Sequence, residues 1–316
     1  MMKKAVSVYN EMPFYAFFKS LTVPSLRPAA LRCAARIIYN FFFRQWLAAW
    51  LPGRVPVNRV DHPLDKKIPF VPSWVTVYLD FIFFWVRMAS FLLHFFGRRA
   101  ITPVKEFIDS MGRLYIFVAE CYSKNFSTTD RPFYIARPRF FLIHLADPHL
   151  MCLPSLHVMV VMWTYTRFAA ILRSLSKEER YVACIEEMKQ GALAITRAIL
   201  FVKQHSVNCI PAALYAMTRF DPGQFPAEKM EAFANLLFNN CENAGSIPVL
   251  EPEYVANIKN RNVHPGSTPK TMISPADERE ITGHIIRLYR QFIAEGKTSK
   301  TWEEPLMNFM RQLQRK

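Results

Sequence analysis

Apolar residues occur in blocks along the chain. The longest block runs from Ile68 to Phe96, long enough for a helix to cross a hydrocarbon layer of about 30 Å. Shorter blocks cover residues 37–51, 103–122, 157–172, 192–202 and 206–217. They are apolar almost all round and rich in aromatic residues, whereas a soluble surface helix has one apolar stripe with a 3.6-residue period. The pattern therefore predicts an all-α fold, a polytopic membrane bundle of about six helices.

Charged residues interrupt these blocks and keep a second fold open. Asp80 and Arg87 are seven residues apart, so they lie on one face of the predicted helix and are expected to pair or to face the bundle interior. Every apolar stretch contains a charge or a histidine before it reaches about 18 residues, and the mean hydropathy is only +0.05. A soluble all-helical protein is therefore the alternative.

Basic residues are biased toward one set of connecting segments, which predicts that both chain ends lie inside the cell. The residues concerned are Lys3, Lys4, Lys19, Arg27, Arg32, Arg36, Arg98, Arg99, Arg173, Lys177 and Arg180. From about Arg219 the sequence becomes charged and helix-like, with an interruption rich in Pro, Gly and Ser at His264–Pro275. We therefore divide the chain into an N-terminal cytoplasmic segment (1–28), a membrane-embedded domain (29–218) and a soluble cytoplasmic helical tail (219–316).

Composition narrows the classes of function. The net charge of +15, from 40 basic and 25 acidic residues, favours anionic partners such as lipid headgroups, phosphorylated substrates or nucleic acid. Nucleic acid is not expected, because no basic stripe with interleaved aromatics forms a known module. The 9 glycines argue against Gly-rich phosphate loops and all-β folds. The six cysteines show neither metal-ligand spacing nor a disulfide framework, and the N-terminus lacks a convincing cleavable signal peptide.

Three segments carry residues suited to chemistry. Lys124 is followed after six residues by Arg131-Pro132, which alone is typical of solvated surface charge. In DPHLMCLPSLHV (147–158), Ser155 can begin a helix that has His157 in its first turn, where free N–H groups favour an anion. In KQHSVNC (203–209), His205 lies between two apolar blocks. Taken singly, either histidine is more often a packed core or boundary residue.

Together and in this order, KxxxxxxRP, PSLH and KQH resemble the type 2 phosphatidic acid phosphatase superfamily. The segment DKKIPFVPSW, before the longest apolar block, also resembles the family, and the likeness covers roughly residues 65–217. The PSLH and KQH segments are fairly specific, whereas the Lys and Arg spacing alone is weak. The resemblance implies phosphoryl transfer at a lipid headgroup on the non-cytoplasmic side of the membrane, at the ends of the third to sixth helices.

The resemblance also implies a role for each residue. His205 would attack phosphorus and form a phosphohistidine, and His157 would protonate the leaving alkoxide and then activate water. Lys124, Arg131 and Ser155 would hold the phosphoryl oxygens. The scheme needs no metal and no cofactor. We therefore expect a lipid phosphatase or headgroup phosphotransferase acting on a lipid phosphate ester or pyrophosphate. The oligomeric state has no signal in the sequence.

Two positions depart from the family pattern. Four residues after the nucleophilic histidine, where the family has an orienting aspartate, this chain has Cys209, a weak hydrogen-bond partner that we nevertheless assign to the catalytic group. We expect Cys209→Asp to raise phosphate release if the family geometry survives. The arginine six residues before that histidine is replaced by Ile199, and helix geometry selects Lys203 as the substitute phosphate ligand. These departures leave open a catalytically degenerate member that binds anionic lipid or scaffolds partners.

Overall fold

A computed structural model describes residues 6–51, 56–176, 179–238 and 273–315. It is mostly helical, with 74% helix and 3% strand, which confirms the all-α prediction. The helices are α1 (Pro13–Thr22), α2 (Arg27–Ile37), α3 (Arg44–Trp50), α4 (Val75–Phe96), α5 (Ile101–Lys124), α6 (Pro138–Ala146), α7 (Leu156–Leu175), α8 (Val182–Phe201), α9 (Cys209–Phe220), α10 (Ala227–Leu236), α11 (Pro275–Gly296) and α12 (Glu304–Leu313).

The core is an up-and-down bundle in which α4, α5, α7, α8 and α9 pack against one another. Helix α4 ends where Gly97 adopts a positive φ of 53°, a conformation that costs glycine little, and α5 begins four residues later and runs back. A turn of π-helix, Ile38–Phe43, joins α2 to α3, so residues 27–50 form one continuous helix beside α5. Inside the bundle, Arg87 Nη2 lies 2.6 Å from Asp80 Oδ1, and this pair neutralises both buried charges.

One end of the bundle gathers the start of α4, the end of α5, the start of α7, the end of α8 and the start of α9. We call it the site end. Two short parallel strands lie there, β1 (Val57–Arg59) and β2 (Phe126–Thr128), with Asn58 opposite Ser127. Ser127 also binds the segment that leads into α7, because its Oγ accepts from Leu153 N at 2.7 Å. The 147–158 motif is therefore fixed against the end of α5.

Support for membrane crossing comes from one stretch. Within the described residues, the helical run Pro72–Lys124 contains the one window long and apolar enough to span a bilayer, with a mean hydropathy of 1.5. Since 67% of that window is buried inside the protein, a core helix of a soluble protein would pass the same test. The predicted six spans and their orientation remain predictions.

Many exposed apolar side chains lie on the N-terminal helices. On α1 and residues 27–50 they are Phe14, Phe17, Phe18, Leu21, Leu31, Ile38, Tyr39, Phe42, Phe43, Leu47 and Trp50. By contrast, α11 packs along α9 and presents Arg279, Glu280, Arg287 and Arg290 outward. Helix α9 has 12 residues, and residues 209–217 are all buried. A helix of that length, covered by a charged one, is poorly suited to cross about 30 Å of hydrocarbon.

The described part of the tail packs against the site end. Lys67 Nζ lies 2.8 Å from Asp277 Oδ1, and His284 Nε2 lies 2.8 Å from Asn208 Oδ1. Glu303 forms an ion pair with Lys124 at the end of α5. A cytoplasmic tail and a non-cytoplasmic site, as the sequence predicts them, would lie on opposite sides of a membrane. These contacts are not compatible with both assignments, because residues 273–315 and the site share one end of the bundle.

Candidate functional site

Two histidines meet at the site end. His205 Nε2 lies 3.1 Å from His157 Nδ1, and the two rings are edge to face with centroids 5.1 Å apart. Ser155 Oγ lies 3.4 Å from the same nitrogen of His205. Residues that are 48 and 50 positions apart in the sequence thus share one small, buried polar centre.

The end of α8 places His205. Lys203 has a positive φ of 55°, which turns the chain out of the helix, and the backbone N–H groups of Gln204 and His205 both donate to the Ile199 carbonyl, at 3.0 and 3.2 Å. These bonds satisfy an otherwise orphaned carbonyl at the helix end. The imidazole is thereby held by backbone geometry at the mouth of the bundle.

A backbone carbonyl selects the tautomer of His205. Its Nδ1 lies 3.1 Å from the oxygen of Cys152, and because a carbonyl only accepts, Nδ1 carries the hydrogen. The lone pair is therefore on Nε2, the nitrogen that faces His157 and Ser155. Cys209 contributes its own carbonyl, which accepts from Ser155 N at 3.3 Å. The structure thus corrects the expectation that the Cys209 side chain takes the orienting position, because Cys152 occupies it.

The start of α7 adds donors to this centre. Ser155 is the N-cap residue, yet its hydroxyl makes no capping hydrogen bond and lies near His205 instead. The first N–H groups of a helix lack partners within the helix and attract anions. Tyr122 supports the turn, because its hydroxyl donates to the Pro154 carbonyl at 2.6 Å. His205 therefore lies next to a helix N-terminus, whose N–H groups can bind an anion.

Arg131 reaches the neighbourhood of His205 through Gln204. Its Nη1 donates to Gln204 Oε1 at 3.2 Å, and its Nη2 donates to the Asp147 carbonyl at 3.3 Å. The Asp147 carboxylate lies 3.9 Å from Arg131 Nη1 and 3.9 Å from His149 Nδ1. Burial raises the pKa of Asp147, but hydrogen bonds from His149 and the charges of His149 and Arg131 outweigh it and lower the pKa to about 2.

The two predicted lysine ligands have other partners. The ammonium of Lys124 pairs with Glu303, a buried residue just before α12. The ammonium of Lys203 donates to the backbone carbonyls of Asp65 and Ile68. Lys203 therefore ties the loop after α8 to the segment before α4, which corrects its assignment as a phosphate ligand.

The two histidines are almost closed off from solvent, and the His205 imidazole is neutral. His157 and His205 are 8% and 7% exposed, and the rings of Tyr78 and Phe81 lie 4.7 and 4.2 Å from that of His157. Burial, followed by the nearby imidazoles of His157 and His149, lowers the pKa of His205 well below its ordinary value of 6.5. His205 is therefore an unprotonated imidazole at neutral pH, the form that can act as a nucleophile.

Sequence reasoning missed some residues of this centre. Asp147 and His149 belong to the 147–158 motif, and Gln204 directly precedes His205, so their positions beside recognised residues were an available signal. No sequence signal pointed to the Cys152 carbonyl, because every residue supplies a backbone oxygen. Within the part of the chain that the structure describes, no group of three or more His, Cys, Asp or Glu side chains is arranged to hold a metal ion.

Comparison with known proteins yields no relative: no family model, no curated protein and no solved structure matches this chain.

Proposed function

We propose that this protein is a membrane-bound lipid phosphatase or headgroup phosphotransferase that works through a phosphohistidine on His205. The observation that carries the proposal is the histidine pair. His205 Nε2 is 3.1 Å from His157 Nδ1, while His205 Nδ1 is held 3.1 Å from a carbonyl. The lone pair of His205 Nε2 accepts a hydrogen bond from His157 in this structure, and a substrate phosphoryl group would replace that bond. His205 would then be the nucleophile and His157 the proton donor beside it.

The reaction has two steps in this proposal. The His205 Nε2 lone pair attacks phosphorus as the bond to the leaving alkoxide breaks, and His157, protonated in the presence of the bound phosphate's negative charge, gives its proton to that alkoxide. His157 is then neutral. In the second step the oxygen of water or of an acceptor alcohol attacks phosphorus, the P–N bond breaks, and His157 takes the proton from that oxygen. Arg131 and the start of α7 stabilise charge on the phosphoryl oxygens.

A lipid phosphate ester or pyrophosphate is the proposed substrate class. Its support is the basic balance of the chain, +15, together with the apolar run that contains α4, which begins at the site end and is long enough to cross a bilayer. We propose membrane attachment through α4 and the apolar face of residues 27–50. Further spans, and a site facing the non-cytoplasmic side, are predictions from the resemblance.

The second candidate function is a non-catalytic protein that binds anionic lipid or scaffolds partners. It is favoured by the engagement of both predicted lysine ligands, Lys124 with Glu303 and Lys203 with two carbonyls. In this case Arg131 and the exposed arginines of α11, Arg279, Arg287 and Arg290, would bind headgroups without turnover.

Phosphate release by the detergent-purified full chain tests the proposal. The substrates are a panel of lipid phosphates and polyprenyl pyrophosphates, and a headgroup-acceptor assay runs in parallel. We expect His205→Ala and His157→Ala to abolish release, and His94→Ala to retain it, since His94 is exposed and pairs with Glu11. If the folded wild type shows no activity in either assay, the enzyme proposal is wrong and the non-catalytic binding function is favoured.

A further inference from the structure

The segment between Arg131 and Asp147 presents large apolar side chains to solvent. Phe133 is 80% exposed and Leu145 is 60% exposed. Their exposed apolar neighbours are Ile135, Phe141 and Leu142. Isolated exposed apolar residues are normal on protein surfaces, but a contiguous group marks an interaction surface. The group lies within residues 133–146, which we call the α6 segment.

The charge of the α6 segment is positive. It contains Arg137 and Arg139 and no Asp or Glu. Arg137 is exposed, whereas Arg139 Nη1 donates to Thr76 Oγ1 at 3.0 Å. A helix with exposed Phe and Leu and with arginine at its start has the composition of one that lies in a membrane interface and is attracted by anionic headgroups.

Packing places the α6 segment where the apolar run of α4 begins. Phe70 contacts Tyr134 and Phe140, with ring centroids 5.4 and 5.7 Å apart. Together with the bond from Arg139 to Thr76, these contacts fix α6 against the first turn of α4. If α4 enters the bilayer at this end, the exposed residues of α6 lie at the depth of the headgroups.

We propose that the α6 segment lies in the membrane interface, with Phe133, Phe141, Leu142 and Leu145 inserted into the headgroup and acyl boundary of an anionic bilayer. The inference rests on the membrane attachment in the proposed function, not on its chemistry. It deepens that function because Arg131 and Asp147 flank the segment, so the substrate is a lipid whose phosphate lies at this interface.

Depth measurement by spin labelling tests the insertion without requiring turnover. The full chain carries Leu142→Cys in a Cys241→Ser background, because the remaining cysteines are buried, and is reconstituted into phosphatidylcholine vesicles with and without phosphatidylglycerol. We expect a nitroxide at Leu142 to lie about 5–10 Å below the phosphates in anionic vesicles. A label at Lys297→Cys, an exposed site in the turn after α11, is the control and stays in water.

Two results would overturn the insertion. One is a Leu142 label as accessible to water-soluble relaxing agent as the Lys297 label in anionic vesicles. The other is a label shielded from both oxygen and the water-soluble agent, which would mean that protein, such as a second copy of the chain, covers this face.

A kinetic comparison links the surface to substrate. Leu142→Glu should raise KM for a lipid phosphate in vesicles by about tenfold or more, the effect of no longer burying one leucine side chain. Turnover of a short-chain soluble phosphate should stay unchanged, as should both substrates with Val182→Glu, an exposed apolar site at the start of α8. Equal loss on both substrates would contradict the assignment. If the wild type proves inactive, only the proposed function fails, and the depth measurement still decides the insertion.

Discussion

Burial keeps His205 a neutral imidazole, and the Cys152 carbonyl fixes its tautomer. Because its pKa is lowered well below 6.5, the neutral form survives at a pH where an exposed histidine is already charged. The same shift affects stability. The unfolded chain takes up this proton near pH 6.5 and the folded chain only at lower pH, so this group's contribution to stability is complete above pH 6.5 and declines as the pH falls below it.

The first prediction is the pH dependence of turnover. Activity requires neutral His205, so no acid limb of kcat/KM should appear near pH 6.5, and a loss at low pH should begin only as the pH reaches the lowered pKa of His205. A pH–rate profile on the purified chain measures this limb. An acid limb centred at or above 6.5 would contradict a buried, neutral nucleophile.

The second prediction concerns Cys209. The Cys152 carbonyl already fixes His205, so Cys209→Ala should keep phosphate release within a few-fold of the wild type. Cys209→Asp, which the family pattern favoured, places a carboxylate at a fully buried position and should lower the melting temperature. Assays on both variants, with folding checked by circular dichroism, measure this. A large gain of activity in Cys209→Asp would show instead that the side chain at position 209 orients His205.

The histidine pair was accessible from sequence, whereas its support was not. PSLH and KQH stand in order along the chain, and the structure brings His157 and His205 into contact. The contact of His205 with the Cys152 carbonyl cannot be predicted from residue types, because every residue has a backbone carbonyl. The partner of Lys124 lies 179 residues away, and Lys203 binds backbone. Such contacts arise from tertiary packing, which local patterns do not encode.

At the scale of elements, the C-terminal helices are part of the site end. Trp302 stacks on Phe117 with centroids 4.0 Å apart, and its Nε1 donates to Glu120 Oε2 at 2.8 Å. Glu303, the next residue, pairs with Lys124. The end of α5 is thus bound to the start of α12 by one stacked ring pair, one hydrogen bond and one ion pair.

The third prediction tests this docking. Glu303→Gln removes the ion pair, and since Lys124 is half exposed and solvent screens the pair, the loss should be about 1 kcal/mol. Amide exchange in α12 should then accelerate by roughly fivefold. Glu304→Gln is the matched control in the same turn. Equal exchange in the two variants would show that the ion pair does not hold α12.

At the scale of the whole molecule, the exposed apolar side chains are unevenly distributed. Residues 27–50 and α1 present aromatic residues outward, whereas α11 presents arginines outward. A bundle surrounded by lipid would be apolar all round. The apolar blocks predicted a membrane bundle of about six helices, but they did not indicate that α11 covers α9, because that contact joins two distant segments. We therefore expect attachment to the membrane through α4 and the exposed apolar residues of 27–50, with α11 remaining in water.

The most direct test of the central claim, the fourth prediction, is to trap the covalent intermediate. The full chain is mixed with a lipid phosphate labelled on phosphorus, quenched in alkali, where phosphohistidine survives, and digested for mass spectrometry. We expect the phosphate on His205 in the wild type, more of it in His157→Ala supplied with a substrate that has a good leaving group, and none in His205→Ala. Labelling that persists in His205→Ala, or product formation by that variant, would contradict the account.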